Sequence, residues 1–355
     1  MLLEQFMNES FSGSSYVPDV EPLFESYIQG EDVNELHMIN REFNQQMNAI
    51  NENVIFAAAL SDVALMKGRE EDAYRLQESV IGDVFTKIKE KIIELWRKIK
   101  AFFVNLFKSI SVSVGKIENS LKGVEKILRS KDLSNFKYQM HDWKDSDMPN
   151  VITSNINKTV DRYKNTADTL YNQAKSIMDG SDNTYSSLEK EELDSDDSMV
   201  HIGNLVGASE KLTLQEANTM IQESYGCSGT PDEQTGLSDY TSMITFLKSF
   251  KNNKTIKKLQ TDTDTAYKKA ITAVDGFKSK ADALKINDKA DNQSDRTSAR
   301  TKVVGMIKNI STRMTSTLSS YNSLMGTCIN CNKQRFSEYR SIISKAVRYS
   351  GKKED

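Results

Sequence analysis

Residues Ile92 to Phe107 read IIELWRKIKAFFVNLF, and this stretch decides the fold. Eleven of its 16 residues are apolar: Ile92, Ile93, Leu95, Trp96, Ile99, Ala101, Phe102, Phe103, Val104, Leu106 and Phe107. Glu94, Arg97, Lys98, Lys100 and Asn105 leave only a thin, mostly basic polar strip. The stripe Val84, Ile88, Ile92, Leu95, Ile99, Phe103, Leu106, Ile110 keeps helical spacing without a slip. Gly115 interrupts it, and Ile117, Leu121, Val124 and Leu128 resume it, which predicts an amphipathic basic helix over 84–129. So wide an apolar arc belongs either to a central core helix or to a helix lying on a membrane surface. On the second reading Trp96, Phe102 and Phe103 enter the acyl boundary, while Lys87, Lys91, Lys98 and Lys108 meet anionic head groups. Ile92, Leu95, Trp96, Ile99, Phe102, Phe103, Leu106, Lys87, Lys91 and Lys98 are therefore the candidate contacts to a partner or a membrane.

Working outward, Leu36, Ile39, Phe43, Met47, Ile50, Val54 and Ala58 recur at threes and fours, predicting a helix from Val33 to about Lys67. Asp32 and Glu35 supply a capping-box pattern at its start, and Gly68 a stop. Residues 1–30 read as an irregular acidic arm. After Ser130 the period changes: Phe136, Tyr138 and Met140 alternate with polar residues, predicting a short strand within 134–143. Pro149 marks a turn, and helical spacing returns from Ile152 to Ile177. Glu189 to Asp197 is an acidic connector, Met199–Val206 a second candidate strand, and Thr213 with Glu216 a capping box opening a short helix. Gly226, Gly229, Pro231 and Gly236 gather in a loop over 226–238, the expected boundary between a helical domain (31–225) and a basic helical bundle or coiled-coil-like region (239–355). Beyond it lie three helical runs: 239–258, a second carrying Ala266 to Leu284, and a long one from Val303 to Ala346 with a gap after Cys328. The fold class is mainly α: an elongated helical bundle with long amphipathic helices and a small β element.

The 355 residues include only 4 prolines and 27% charged residues, which argues against a many-turned β architecture. No stretch approaches the roughly 20 uncharged apolar residues a bilayer demands. The start, MLLEQFMNES, lacks a signal pattern, so composition predicts a soluble, intracellular protein. Net charge is −3, but it comes in blocks. Residues 1–82 hold 15 acids against 4 bases, 83–129 hold 11 bases against 5 acids, 182–240 hold 13 acids against 2 bases, and 241–355 hold 23 bases against 10 acids. Such alternation predicts helices of opposite sign laid side by side. The basic C-terminal region also permits nucleic-acid contact that would not be sequence-specific. Cys227, Cys328 and Cys331 form no disulfide framework, and the C-x-x-C pair has no further ligands at metal-site spacing. The thiols therefore read as packed hydrophobes, and His141 and His201 as isolated. No phosphate-loop, dinucleotide-binding, zincin or nucleophile-elbow motif occurs. The expectation is a non-enzymatic protein with no cofactor, no metal and no catalytic residue.

Taken together, Ile92–Ile110 and the following NFKYQMHDW resemble a group of virion structural proteins of large tailed bacteriophages. These carry a basic aromatic-rich helix, a short aromatic strand, then long polar helices. The resemblance covers some 70 residues and is one of style more than of strict motif. It implies an internal head, neck or tail protein acting through helix–helix assembly, found in the virion and, during assembly, in the host cytoplasm. Its partners would be other virion structural proteins and further copies of itself. It also implies maturation cleavage after apolar-x-Glu, which Leu23-Phe24-Glu25 and Leu76-Gln77-Glu78 match, giving Glu25 and Glu78 as candidate sites. Two alternatives stay open: a membrane-active helical protein using 84–110, and a bacterial helical scaffold.

Overall fold

A computed structural model describes residues 35–50, 70–178, 202–284 and 293–350 of the chain. In order these form α1 (35–50), α2 (Glu70–Arg129), β1 (Lys137–Met140), α3 (Met148–Met178), α4 (Ile202–Leu205), α5 (Leu214–Tyr225), β2 (Asp232–Thr235), α6 (Tyr240–Ser249), a 3-10 turn (Phe250–Asn252), α7 (Lys254–Ala283) and α8 (Gln293–Arg348). The protein is a mainly-α helical bundle with a small β element. At 1.5 Å per residue, the 60 residues of α2 and the 56 of α8 each span about 80–90 Å if straight. The acidic arm, the proposed Asp32 cap, the acidic connector and Gly68 lie outside the described residues.

Four long helices make the frame, and named contacts fix their directions. Lys89 pairs with Asp275 at 2.7 Å and Lys100 with Asp264 at 3.0 Å, so α2 and α7 run antiparallel. Lys269 meets Asp161 and Lys280 meets Asp168, each at 2.7 Å, so α7 and α3 run parallel. Tyr163 contacts Thr317 while Arg335 reaches Asp145 near the start of α3, so α3 and α8 are antiparallel. Lys131, just past α2, donates to the carbonyls of Val347 and Tyr349 and caps the end of α8. Thus α2 and α8 point one way, α3 and α7 the other. One hydrophobic core runs through all of them, drawing on residues from Leu36 to Val347.

The expected side-by-side pairing of opposite-sign helices is corrected: α2 and α7, both from basic blocks, pack together, and complementarity lies between individual residues along the seams. The acidic N-terminal block meets the basic block at Glu42–Lys98, 2.8 Å. Within α7, Asp264 and Asp275 turn toward α2, while Lys269 and Lys280 turn toward α3. Such half-exposed pairs contribute about 0–1 kcal/mol each, so they set register more than stability.

Several expectations are corrected. The loop 226–238 is no bare linker: it contributes β2, which pairs antiparallel with β1 from Lys137↔Thr235 to Met140↔Asp232. The two regions it was expected to separate share one core. The second strand is not at Met199–Val206, because Ile202–Leu205 is a helical turn; residues 199–201 lie outside the described set. The run 239–258 breaks at Asn253, whose side chain accepts from the Ile256 N–H at 3.1 Å and starts α7 anew. Pro149 sits inside the first turn of α3, where its missing N–H leaves no helical bond unmade. Neither Gly115 nor the stretch after Cys328 interrupts its helix, since α2 and α8 are continuous there.

Candidate functional site

The stripe singled out in the sequence is the inner face of α2. Ile92, Leu95, Ile99, Phe102, Phe103 and Leu106 are all buried. Phe103 packs edge-on to Phe102 at 5.6 Å and stacks on Phe107 at 6.4 Å between ring centroids. Trp96 is half-buried and donates its indole N–H to Asp264 on α7 at 3.0 Å, and the Lys100 ammonium lies 3.8 Å from its ring centroid. Lys98 bridges Glu42 and Glu94, at 2.8 and 3.2 Å. The Glu42 hydrogen bond, working against burial, holds its ammonium above the ordinary value. Lys91 pairs with Glu94 at 2.8 Å, which holds that carboxyl low. Lys87 is exposed. The aromatic and basic groups of a membrane-facing helix are therefore largely engaged within the bundle. Among the described residues, no helix is long and apolar enough to cross a membrane. Of the candidate cleavage positions, Glu25 lies outside the described residues and Glu78 lies in the helical backbone of α2.

Chemistry-bearing side chains instead gather where β1, the end of α5 and α8 meet. Helix α5 opens on the expected capping box: Thr213 accepts from the Glu216 N–H at 3.2 Å, and Glu216 accepts from the Thr213 N–H at 2.7 Å. It closes on Gly226 at φ 72°, with the Gly226 and Cys227 N–H groups donating to the carbonyls of Glu223 and Gln222. The chain leaving β1 lies directly on this end. Lys144 N–H donates to the Tyr225 carbonyl at 2.9 Å, and a Cβ on Gly226 would stand 1.8 Å from the Asp142 carbonyl oxygen. Only glycine fits that position, both for its backbone angle and for the space.

This close approach seats His141 beside Glu338 of α8. The His141 backbone N–H donates to Oε1 of Glu338 at 2.7 Å, and Nδ1 stands 2.7 Å from Oε2. Nε2 is 3.3 Å from the Gly229 carbonyl, so both ring nitrogens face acceptors. Burial disfavours the imidazolium most strongly, yet the Glu338 hydrogen bond and charge, with Gly229, outweigh it and raise His141 above its ordinary value. Nearby, the Sγ atoms of Cys227 and Cys331 are 3.3 Å apart. The Cys331 hydrogen bond, opposed by burial and helped by the His141 charge, lowers the Cys227 thiol. That same contact, with burial, pushes Cys331 up. Burial takes Cys328 up to about 12. Asn332 donates to the Tyr225 hydroxyl at 3.1 Å and to the Cys328 carbonyl at 2.9 Å.

His141 is thus not isolated, and the three cysteines are packed in the core as expected, with Cys227 and Cys331 in mutual contact. Sequence reasoning missed both because the partners are 197 and 104 residues apart. No local signal marked the pair, because Glu338 shares its helix face with Gln334, Arg335, Ser341 and Ile342, an ordinary half-polar setting. Among the described residues no three His, Cys, Asp or Glu side chains converge on a metal-binding geometry. Elsewhere, a cleft of about 640 Å³ between α1 and α8 is lined by amides and hydroxyls, including Asn40, Asn44, Thr315 and Ser319. Compared with known proteins, the chain matches no family model, no curated protein and no solved structure.

Proposed function

We propose that this protein is a non-enzymatic structural component of a tailed-bacteriophage virion, an internal head, neck or tail protein that works through helix–helix assembly. The observation that carries the structural part is the frame itself. Two helices of 60 and 56 residues are tied to their neighbours by ion pairs, and a single core runs through every long helix. Buried polar contacts add uniqueness to this packing. Asn322 donates to Tyr267 at 2.6 Å and to Asn40 at 3.0 Å, tying α8 to α7 and α1. The virion assignment rests on the resemblance of the basic aromatic helix and the NFKYQMHDW strand that follows it. Its partners are other virion proteins and further copies of the chain.

Non-specific nucleic-acid contact through the C-terminal region is weakened as a reading by the lysines of α7. Lys258, Lys268, Lys269 and Lys280 each already pair with an aspartate. The membrane-active alternative requires the α2 stripe to leave the bundle and exchange protein contacts for lipid. Mass spectrometry of purified particles is the test. The chain present at a fixed copy number, with its mature N-terminus read directly, supports the proposal. Its presence only in infected-cell lysate, and never in particles, overturns it.

A further inference from the structure

We propose that Cys227 and Cys331 form a reversible disulfide, an oxidative modification site for small peroxides, in which Cys227 is the attacking thiol and Cys331 the resolving one. The argument begins with distance. The two sulfurs are already in contact at 3.3 Å, and a disulfide needs about 2.05 Å, a closure within reach of side-chain rotation. Position comes from the backbone. The left-handed turn at Gly226 delivers Cys227 onto α8, where Cys331 projects from the helix.

Polarity divides the labour between the two sulfurs. His141, held by Glu338 and Gly229, favours charge on Cys227, and Cys227 is also the more exposed residue of the two. The next residue in that loop is Ser228, so Cys227 has no competing thiol beside it in the chain. Cys328, one turn earlier on α8, is fully buried with its thiol held protonated, and Tyr225 packs beside it. It is excluded from the pair although it completes the C-x-x-C pattern. Cys227, by contrast, keeps 7% of its surface, the largest share of the three cysteines.

The chemistry balances in two steps. The Cys227 thiolate attacks one peroxide oxygen, the O–O bond breaks, and the departing hydroxide takes a proton and leaves as water, giving a sulfenic acid. The Cys331 sulfur then attacks the Cys227 sulfur, the S–O bond breaks, and the hydroxyl leaves as a second water with the Cys331 proton. Two thiols are oxidised by two electrons and one peroxide is reduced to two waters. The bridge would fasten the end of α5, and through Lys144 and Asp142 the segment leaving β1, to the middle of α8. An added thiol reductant reverses it.

The test uses the full chain, reduced and desalted, then exposed to a few equivalents of hydrogen peroxide, denatured and alkylated. The expected result is a mass loss of about 2 Da before alkylation. Alkylatable thiols should fall from the three of the reduced chain to one, with a cross-linked peptide joining Cys227 to Cys331 and the label on Cys328. Dithiothreitol should restore all three. Cys328→Ser should still cross-link, whereas Cys331→Ser should stop at a sulfenic acid on Cys227 that dimedone traps. Circular dichroism checks that each variant keeps its helix content. A Cys328–Cys331 cross-link overturns the proposal. So do three alkylated thiols after treatment that fully oxidises free cysteine.

Discussion

Truncating Phe103 to alanine tests whether the aromatic stripe of α2 is core. Its ring is 1% exposed, packed between α2 and its neighbours. A buried aromatic covers about 150–250 Å², so Phe103→Ala returns on the order of 120 Å² to the environment, or about 3 kcal/mol at roughly 25 cal/mol per Å². The edge-on contact with Phe102 and the stacked contact with Phe107 add on the order of 0.5–1 kcal/mol together. The expected loss is about 4 kcal/mol, inside the usual range of about 3–5 for Phe→Ala in a core. Val104, the next residue, is 61% exposed, and Val104→Ala should change stability by less than about 0.5 kcal/mol. Urea unfolding followed by far-ultraviolet circular dichroism and by tryptophan fluorescence measures both, with coincident transitions licensing the free energies. A loss below about 1 kcal/mol for Phe103→Ala, or equal effects at the two neighbours, would refute the burial argument and return the stripe to the role of a docking surface.

Three further outcomes are expected for stability, and one for membranes. Gly226→Ala should destabilise by about 2–5 kcal/mol, because alanine in a left-handed turn costs about 1–2 and the overlap with the Asp142 carbonyl forces the backbone apart; a thermal midpoint equal to wild type would contradict this. Because His141 is raised in the folded state above its ordinary 6.5, the His141–Glu338 pair stabilises fully below about pH 6.5, and that contribution is lost as pH rises through the folded value. The stability difference between wild type and Glu338→Gln should therefore shrink from acid toward alkaline pH, and parallel curves across pH 5.5–9 would refute the assignment. Thr213→Ala removes one half of the α5 capping box and should cost about 1 kcal/mol, read as a lower urea midpoint with unchanged slope. For the membrane reading, the intact chain should give no blue shift of Trp96 or Trp143 with anionic vesicles, since Trp96 is already hydrogen-bonded to Asp264. A shift would mean the bundle opens.

What the amino-acid sequence determined by itself is what depends on neighbours three and four residues apart. The α2 stripe, the long periodic run of α8 and the Thr213–Glu216 box all came from local spacing, and the structure keeps each. Helices are written in such spacing because their hydrogen bonds and faces close within one turn. Tertiary structure alone decided the rest. The strand Asp232–Thr235 has no apolar alternation and is exposed throughout; it exists because β1 and the turn at Gly236 offer it a partner. Whether the α2 stripe meets protein or lipid was not written in its amphipathicity, since the same wide arc suits both. In the folded chain it is covered by protein, with Asp264 of α7 receiving Trp96 and Lys100. The pairing of His141 with Glu338, and of Cys227 with Cys331, joins residues whose local surroundings say nothing of one another. Burial and charge at those groups are properties of the assembled core, so they become defined only once the distant helices have packed.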